Sequence, residues 1–295
     1  MIIFRLSGGF GNQLWSFAAG YSLAKETGEL FGLDTSTQDA KWFFRDTEIE
    51  NYAIEGYKKI SYRLGDGKLD HLLFNHVCRR SSIGLFTPSV NERNKNAFDP
   101  DIFADAGKKR NIYYIGDWQH KGYFKKYEAD IRRMYVYKNE ISKAGKKLLG
   151  EIKMTESIGV HVRRGDYVRI GIALTPEFYI KAFETLADKI KDPVFYCFTE
   201  DESWCRKAFE GLPYDIRYTA YEAEHKNLED FELLRACRHQ IISRSTFSWW
   251  AAYLNEYEGK ITVVPDNPVW NRTDKDTWPD EWIYIDAPLE KREKK

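Results

Sequence analysis

Apolar positions fall into short β-rich runs that alternate with helical stretches, most regularly in the second half of the chain. There the spacing predicts strands at residues 157–162, 194–198, 215–218, 240–243 and 260–264, the last of these closing the series. Helices are predicted between them at 176–190, 202–209, 228–237 and 247–255. Strands separated by helices specify a parallel sheet with covered faces, because a crossover helix is what returns the chain to the start of a neighbouring parallel strand. The first half opens the same way, with a strand at 2–6, a turn at 7–12, a helix at 13–27 and a strand at 30–33. From about 39 to 107 the period is mixed and Asn, Arg, Asp and Ser abound, which reads as helices and long loops. Order returns with a strand at 111–115 and a helix at 123–134. A segment rich in Lys, Gly and Glu at 138–153 reads as a helix and interdomain connection, so the division falls near residue 150.

Length agrees with two domains, since 295 residues exceed what one hydrophobic core usually organises. The expected domains are 1–150 and 151–295, with a cleft between them and a frayed, charged tail at 291–295. Ligands on open parallel sheets bind at the carboxyl ends of the strands, so the residues just after each strand are the ones to read for chemistry.

Composition narrows the function classes. With 45 basic and 45 acidic residues the formal charge is zero, which argues against a nucleic-acid partner. The longest apolar run, residues 249–254, is far short of the roughly 20 residues of a membrane span. The amino terminus lacks the basic segment and apolar stretch of a secretion signal, so a cytoplasmic location is expected. Cys78, Cys197, Cys205 and Cys237 form no C-x-x-C pair and read as reduced thiols. The sequon at 271–273 then reads as chance, and the plentiful aromatics read mostly as core.

Three turns carry candidate chemistry. His161-Val162-Arg163-Arg164-Gly165-Asp166 follows a strand directly, and two arginines there incur desolvation unless they meet an anion. The guanidinium fork suits a phosphate, although an exposed basic turn paired with Asp166 fits the same spacing. Ser7-Gly8-Gly9-Phe10-Gly11-Asn12-Gln13 joins the first strand to the first helix. Its glycines let backbone N–H groups approach a ligand at a helix amino terminus, or simply make a tight turn. It gives only part of a dinucleotide fingerprint, because Leu14 stands where the third glycine would be, although Asp34 lies where a ribose-binding acid would sit. The third turn is Ser243-Arg244-Ser245-Thr246-Phe247-Ser248, whose hydroxyls can cap a helix or hold a phosphate or ribose. Asp99-Pro100-Asp101 and Asp274-Lys275-Asp276 spell D-x-D, the first reading as an Asp-Pro turn. His71, His76, His120, His225 and His239 have no ligand spacing.

With these clusters in this order, the chain resembles the α-1,2-fucosyltransferases, most closely the soluble bacterial members. Their Gly-Gly-Leu-Gly-Asn-Gln opening is similar to residues 8–13, and their His-x-Arg-Arg-x-Asp signature to residues 161–166. A middle Gly-Tyr-Trp-Gln and Tyr-Phe segment is echoed by Gly116-Asp117-Trp118-Gln119 and Tyr123-Phe124. Their Asp, Leu and Cys before Asn-Ser-Ser-Phe-Ser-Trp-Trp are similar to Asp230, Leu233 and Cys237 followed by Ser245 to Trp250, with Arg244 in place of Asn and Thr246 in place of Ser.

The resemblance implies a GT-B-like α/β fold: two Rossmann-like domains with parallel sheets facing a central cleft, the amino-terminal one on the acceptor side and the carboxy-terminal one holding the GDP-sugar. It implies transfer of L-fucose from GDP-fucose to a galactose-containing glycan with inversion, without metal or other cofactor. Arg163 would grip the diphosphate with support from Arg164 and His161. Asp230, Ser245, Thr246, Phe247 and Ser248 would lie near the nucleotide, and Asn12 with the Gly9 and Gly11 backbone would approach from the other domain. Asp166 is the nearest base that the sequence offers, or else it orients the arginines while a departing phosphate oxygen takes the proton. Peripheral contact with a lipid-linked glycan is a further family expectation. Open alternatives are a related inverting transferase with another linkage or GDP-sugar, a nicotinamide-dependent oxidoreductase and a non-catalytic carbohydrate-binding module.

Overall fold

The computed structural model describes residues 1–36, 38, 46–61, 89–92, 98–108, 111–266 and 277–290. It divides into two compact units, Met1–Lys138 and Asn139–Lys295.

The first unit contains β1 (Ile2–Arg5), α1 (Phe10–Thr27), β2 (Phe31–Asp34), β3 (Lys58–Ile60), β4 (Ser89–Asn91), β5 (Ile112–Ile115) and α2 (Glu128–Met134). The strands form one parallel sheet in the order β3-β2-β1-β5-β4. Helix α1 ends where Gly28 adopts φ +71° and returns its N–H to Ala24, the usual way a left-handed residue satisfies a last-turn carbonyl. It lies close on the sheet because Gly20 has no side chain; a Cβ there would collide with Phe31. Phe4 stacks on Tyr114 at 4.9 Å and meets Trp118 at 5.1 Å, so aromatics fill this core as expected.

The stretch expected to be helices and loops adds the two edge strands β3 and β4. Each has three residues, too few for a period-2 signal, and the exposed Lys58 and Lys59 are the kind of charge that keeps an edge from pairing further. The helix expected at 123–134 begins only at Glu128, after 3-10 turns at Lys121–Tyr123 and Lys125–Tyr127, because Phe124 at φ −135° breaks the helical path.

The second unit contains α3 (Lys143–Lys153), β6 (Glu156–Val162), α4 (Gly165–Ile170), α5 (Pro176–Ala187), β7 (Pro193–Thr199), α6 (Glu202–Ala208), β8 (Asp215–Tyr218), α7 (Lys226–Ala236), β9 (His239–Ile241), α8 (Thr246–Leu254), β10 (Thr262–Asp266) and β11 (Ile283–Asp286). All six strands are parallel, in the order β11-β10-β9-β6-β7-β8. The chain runs outward from β6 through β7 to β8, then crosses to β9 on the other flank and runs outward again. Strand order therefore reverses between β6 and β9, and in open α/β sheets the ligand crevice lies outside the carboxyl ends of such a pair. Ile158, Val160 and Val162 of β6 pack with Phe178, Phe183 and Phe195 to form the core beneath it.

Two expectations change here. Residues 260–264 do not supply the last strand, since β11 pairs with β10 beyond them. The 138–153 segment holds the expected helix, α3, but that helix belongs to the second unit: Ser142 donates its N–H and hydroxyl to the buried Glu229 carboxylate on α7 at 3.0 and 2.7 Å. The junction expected near 150 falls inside α3, and the compact units part after Lys138. No helix among the described residues is long and apolar enough to cross a membrane.

Candidate active site

Both candidate turns of the second unit emerge at the reversal, the 161–166 turn after β6 and the 243–248 turn after β9. Three contacts join them. His161 Nδ1 and Ser243 Oγ lie 2.8 Å apart, the imidazole stacks on Phe247 at 5.2 Å, and Tyr167 donates its hydroxyl to the Arg244 carbonyl at 2.9 Å. Phe247 in turn meets Phe231 of α7 edge-on at 5.2 Å, which brings the Asp230 helix alongside.

Of the three basic side chains in the first turn, one remains suited to an anion. Burial, with Arg163 nearby, lowers the His161 pKa from 6.5 to about 3, so the ring is neutral at any working pH and adds no positive charge. Arg164 is 8% exposed and doubly paired: Nε meets Asp201 at 3.1 Å, Nη1 meets Glu290 at 2.6 Å, and the guanidinium lies 4.0 Å over Trp204. The desolvation of this charge is thus offset by protein carboxylates and an aromatic face. Arg163 is left at the strand end with its side chain 25% exposed, paired with Asp166 at 2.6 Å and 3.7 Å from Glu200.

The neutral His161 has a consequence for stability. Below pH 6.5 the unfolded chain binds a proton that the folded chain refuses until about pH 3, so stability falls as pH drops through that window. The contribution is at most about 1.4 kcal/mol per pH unit. Burial lowers His239 in the same direction. We expect a lower melting temperature at pH 5 than at pH 7, and a shallower dependence in His161→Gln; equal slopes in the two proteins would show that His161 is not the source.

The 243–248 turn divides its hydroxyls. Ser245 caps α8 by accepting the Phe247 N–H at 3.3 Å, and Ser248 donates back to the Ser245 carbonyl at 3.3 Å. These contacts fit helix capping, whereas Thr246 and Phe247 are half-buried and the Phe247 ring lies against His161. Asp230 accepts from Tyr221 at 2.9 Å and Lys226 at 2.6 Å; burial pushes its carboxyl above the ordinary range, and Lys226 opposes the shift. Leu233 and Cys237 are fully buried packing residues.

In the first unit the glycine turn follows β1, and the Gly116 to Gln119 segment follows β5, the strand beside it. Gly8 sits at φ +77°, where a Cβ would lie 2.5 Å from Asn12 Nδ2, so glycine is required for that approach. Gly9 caps α1 without a side chain, and a Cβ there would meet nothing within 4 Å, while Gly11 is buried in the first turn. Asn12 Oδ1 accepts from Gln119 at 3.3 Å. Gln13, conspicuous in the motif, is structural: its amide binds the Gly8 and Asp46 carbonyls and accepts the Glu48 and Ile49 N–H groups.

Asp34 is 2% exposed and accepts from Tyr113 at 2.6 Å and the Ser36 N–H at 2.9 Å, so it does not present the carboxylate that the oxidoreductase alternative needs for a ribose. Asp99-Pro100-Asp101 opens a 3-10 turn as expected, and Asp274-Lys275-Asp276 and the 271–273 sequon lie outside the described residues. His71, His76, Cys78 and the 291–295 tail lie outside them too, and Cys197, Cys205 and Cys237 are free and buried. Sequence reasoning passed over Tyr167, Glu200, Asp201 and Glu290. The pair Glu200-Asp201 directly follows β7, so the rule of reading strand ends would have found it.

The model of glycosyl transferase family 11 matches residues 101–286. The chain is 26% identical to the alpha-1,2-colitosyltransferase of Escherichia coli, over 97% of this chain and 99% of that one, and 25% identical to the O-antigen biosynthesis glycosyltransferase WbnK of Escherichia coli, over 95% and 99%. Human galactoside alpha-(1,2)-fucosyltransferase 1 is 26% identical over 57% of this chain and 50% of that one. Among solved structures, fucosyltransferase NodZ from Bradyrhizobium is similar with a TM-score of 0.52 at 19% identity, covering 86% of this chain and 91% of that one. A variant of Arabidopsis thaliana FUT1 in complex with GDP is similar with a TM-score of 0.50 at 14% identity, covering 98% and 73%. At these identities the structures bear on fold, and the two parallel-sheet α/β domains of this protein are of the GT-B class they share. A strand-order reversal carrying both signature turns and a match over most of the sequence converge on one assignment: this chain is an enzyme of glycosyl transferase family 11.

Proposed function

We propose that the protein transfers L-fucose from GDP-fucose to a hydroxyl of a galactose-containing glycan, forming an α-1,2 linkage with inversion and without a metal. The observation that carries this reading is Arg163: of the three basic groups in its turn it alone combines positive charge with access, and it stands where strand order reverses. Human and bacterial relatives named for α-1,2 transfer support the linkage.

Transfer breaks the bond between the anomeric carbon and the diphosphate oxygen as the acceptor oxygen forms its bond from the opposite face. The sugar passes through an oxocarbenium-like state, negative charge gathers on the departing GDP, and the acceptor proton goes to a base. Stabilisation is therefore directed at the phosphates, where the Arg163 fork and backbone N–H groups of its turn serve. Thr246, Phe247 and the Asp230 helix form the nucleotide side, and Asp166 is the base. A cytoplasmic setting agrees with three buried free thiols.

Asp166 and the diphosphate compete for the same guanidinium, since Asp166 lies 2.6 Å from Arg163 Nη2. Asp166→Asn is expected to bind GDP at least as tightly as the wild type while transfer falls by about 10²-fold or more, the range for loss of a general base. An unchanged rate and pH profile would remove Asp166 from that role.

The direct assay is incubation of the purified protein with GDP-fucose and a panel of β-galactosides in the presence of EDTA, followed by location of the new linkage. Absence of product with every acceptor, or recovery only on adding a divalent ion, would refute the corresponding part of the reading. A second reading, in which the donor is a colitosyl nucleotide, is favoured by the Escherichia coli colitosyltransferase, one of the relatives that span nearly the whole chain, and the same assay with that donor separates the two.

A further inference from the structure

Four carboxylates surround the two arginines of the 161–166 turn, and one does something the others do not. Asp201 and Glu290 hold Arg164, and Asp166 holds Arg163 from within the same turn. Glu200, at the end of the neighbouring strand β7, reaches the backbone as well. Its Oε1 accepts the Arg164 N–H at 2.7 Å and lies 3.7 Å from Arg163 Nη1, and a Cβ on Gly165 would stand 2.9 Å from the same atom. One oxygen thus accepts the Arg164 N–H, faces the Arg163 guanidinium and lies over the side of Gly165 where a side chain would project. Arg164 precedes α4 at φ −122°, ψ −78° and offers no side-chain cap, so its backbone N–H is satisfied from outside the turn, by Glu200. The register of β6 on β7 pairs Val162 with Thr199, which sets Glu200 level with Arg163.

We propose that Glu200 is the positioning residue for the donor diphosphate: through the Arg164 N–H it fixes the peptide from which the Arg163 guanidinium projects. The proposal rests on the reading of Arg163 as the phosphate ligand. Its charge is not the useful part, because a carboxylate near the diphosphate repels it; the useful part is the acceptor oxygen. A side chain at Gly165 would act on the same contact, since its Cβ would stand 2.9 Å from that oxygen and displace it from the N–H.

The test is GDP binding by calorimetry, with melting temperature, for the wild type, Glu200→Gln, Glu200→Ala, Arg163→Ala and the Arg163→Ala/Glu200→Ala double variant. Glu200→Gln keeps an acceptor oxygen and should bind GDP as well as the wild type or better. Glu200→Ala should bind at least about fivefold more weakly, within the range of couplings seen between neighbouring residues. In the Arg163→Ala background the same change should have no further effect, because its action passes through Arg163. Equal binding by the Gln and Ala variants, or losses that add in the double variant, would overturn the proposal. Lack of GDP binding by the wild type would instead reject the donor reading beneath it.

Discussion

Arg163→Ala is expected to leave a folded protein with little or no transferase activity, a loss of at least about 10²- to 10³-fold in turnover, the cost of removing one well-placed donor from developing negative charge. The side chain is partly exposed and its ion partners Asp166 and Glu200 are also partly exposed, so its removal strands no buried charge and the melting temperature should change little. Arg163→Lys should recover only a small part of the activity, because an ammonium supplies a point charge without the two parallel N–H groups that match a phosphate edge. Near-normal turnover by the lysine variant would mean that charge alone is needed and that the fork geometry is irrelevant.

Its neighbour should behave in the opposite way. Arg164→Ala leaves Asp201 and Glu290 facing a hole from which a nearly buried guanidinium and its contact with Trp204 have gone. Removing one partner of a fully buried ion pair typically destabilises by about 3–5 kcal/mol. Both acids here are partly exposed, so about 2–4 kcal/mol is expected, read as a fall in the denaturant midpoint. At temperatures where the variant remains folded, it should still bind GDP, since Arg164 gives its donors to protein carboxylates. A stable Arg164→Ala protein that had lost GDP binding would reverse the two roles.

That two adjacent arginines divide in this way was not legible in the sequence. The local pattern is the same for both; what separates them is Asp201, 37 residues away, and Glu290, 126 residues away. Asp34 illustrates the same limit, for it stands at the end of β2 where a ribose ligand would be read, but Tyr113, 79 residues on, occupies its carboxylate. Local spacing reports which strand end a residue occupies, not which distant side chain meets it there. The strand and helix alternation of the second unit was legible because its apolar runs are long enough to show their period, and the two signature turns were legible because topology places them at adjacent strand ends. The edge strands β3 and β4 were not, being three residues each and paired on one side. Histidine chemistry was half legible: the position of His161 could be read, but its loss of basicity comes from burial against Phe247 and Ser243, which only the fold supplies.

The bond between Arg164 and Glu290 also bears on the order of assembly. Contacts within the turn span three residues, and those from β6 to β7 span fewer than forty, so they close small loops and form early. Glu290 follows β11, an edge strand that joins the sheet through β10, and the segment it belongs to also meets Ala173 and Thr175 through backbone hydrogen bonds. The arginine cage therefore closes in two stages, Asp201 pairing with the Arg164 guanidinium before Glu290 reaches it. A refolding chain should therefore bind its donor through Arg163 once β6 and β7 are paired, and gain its last increment of stability only when the segment after β11 docks.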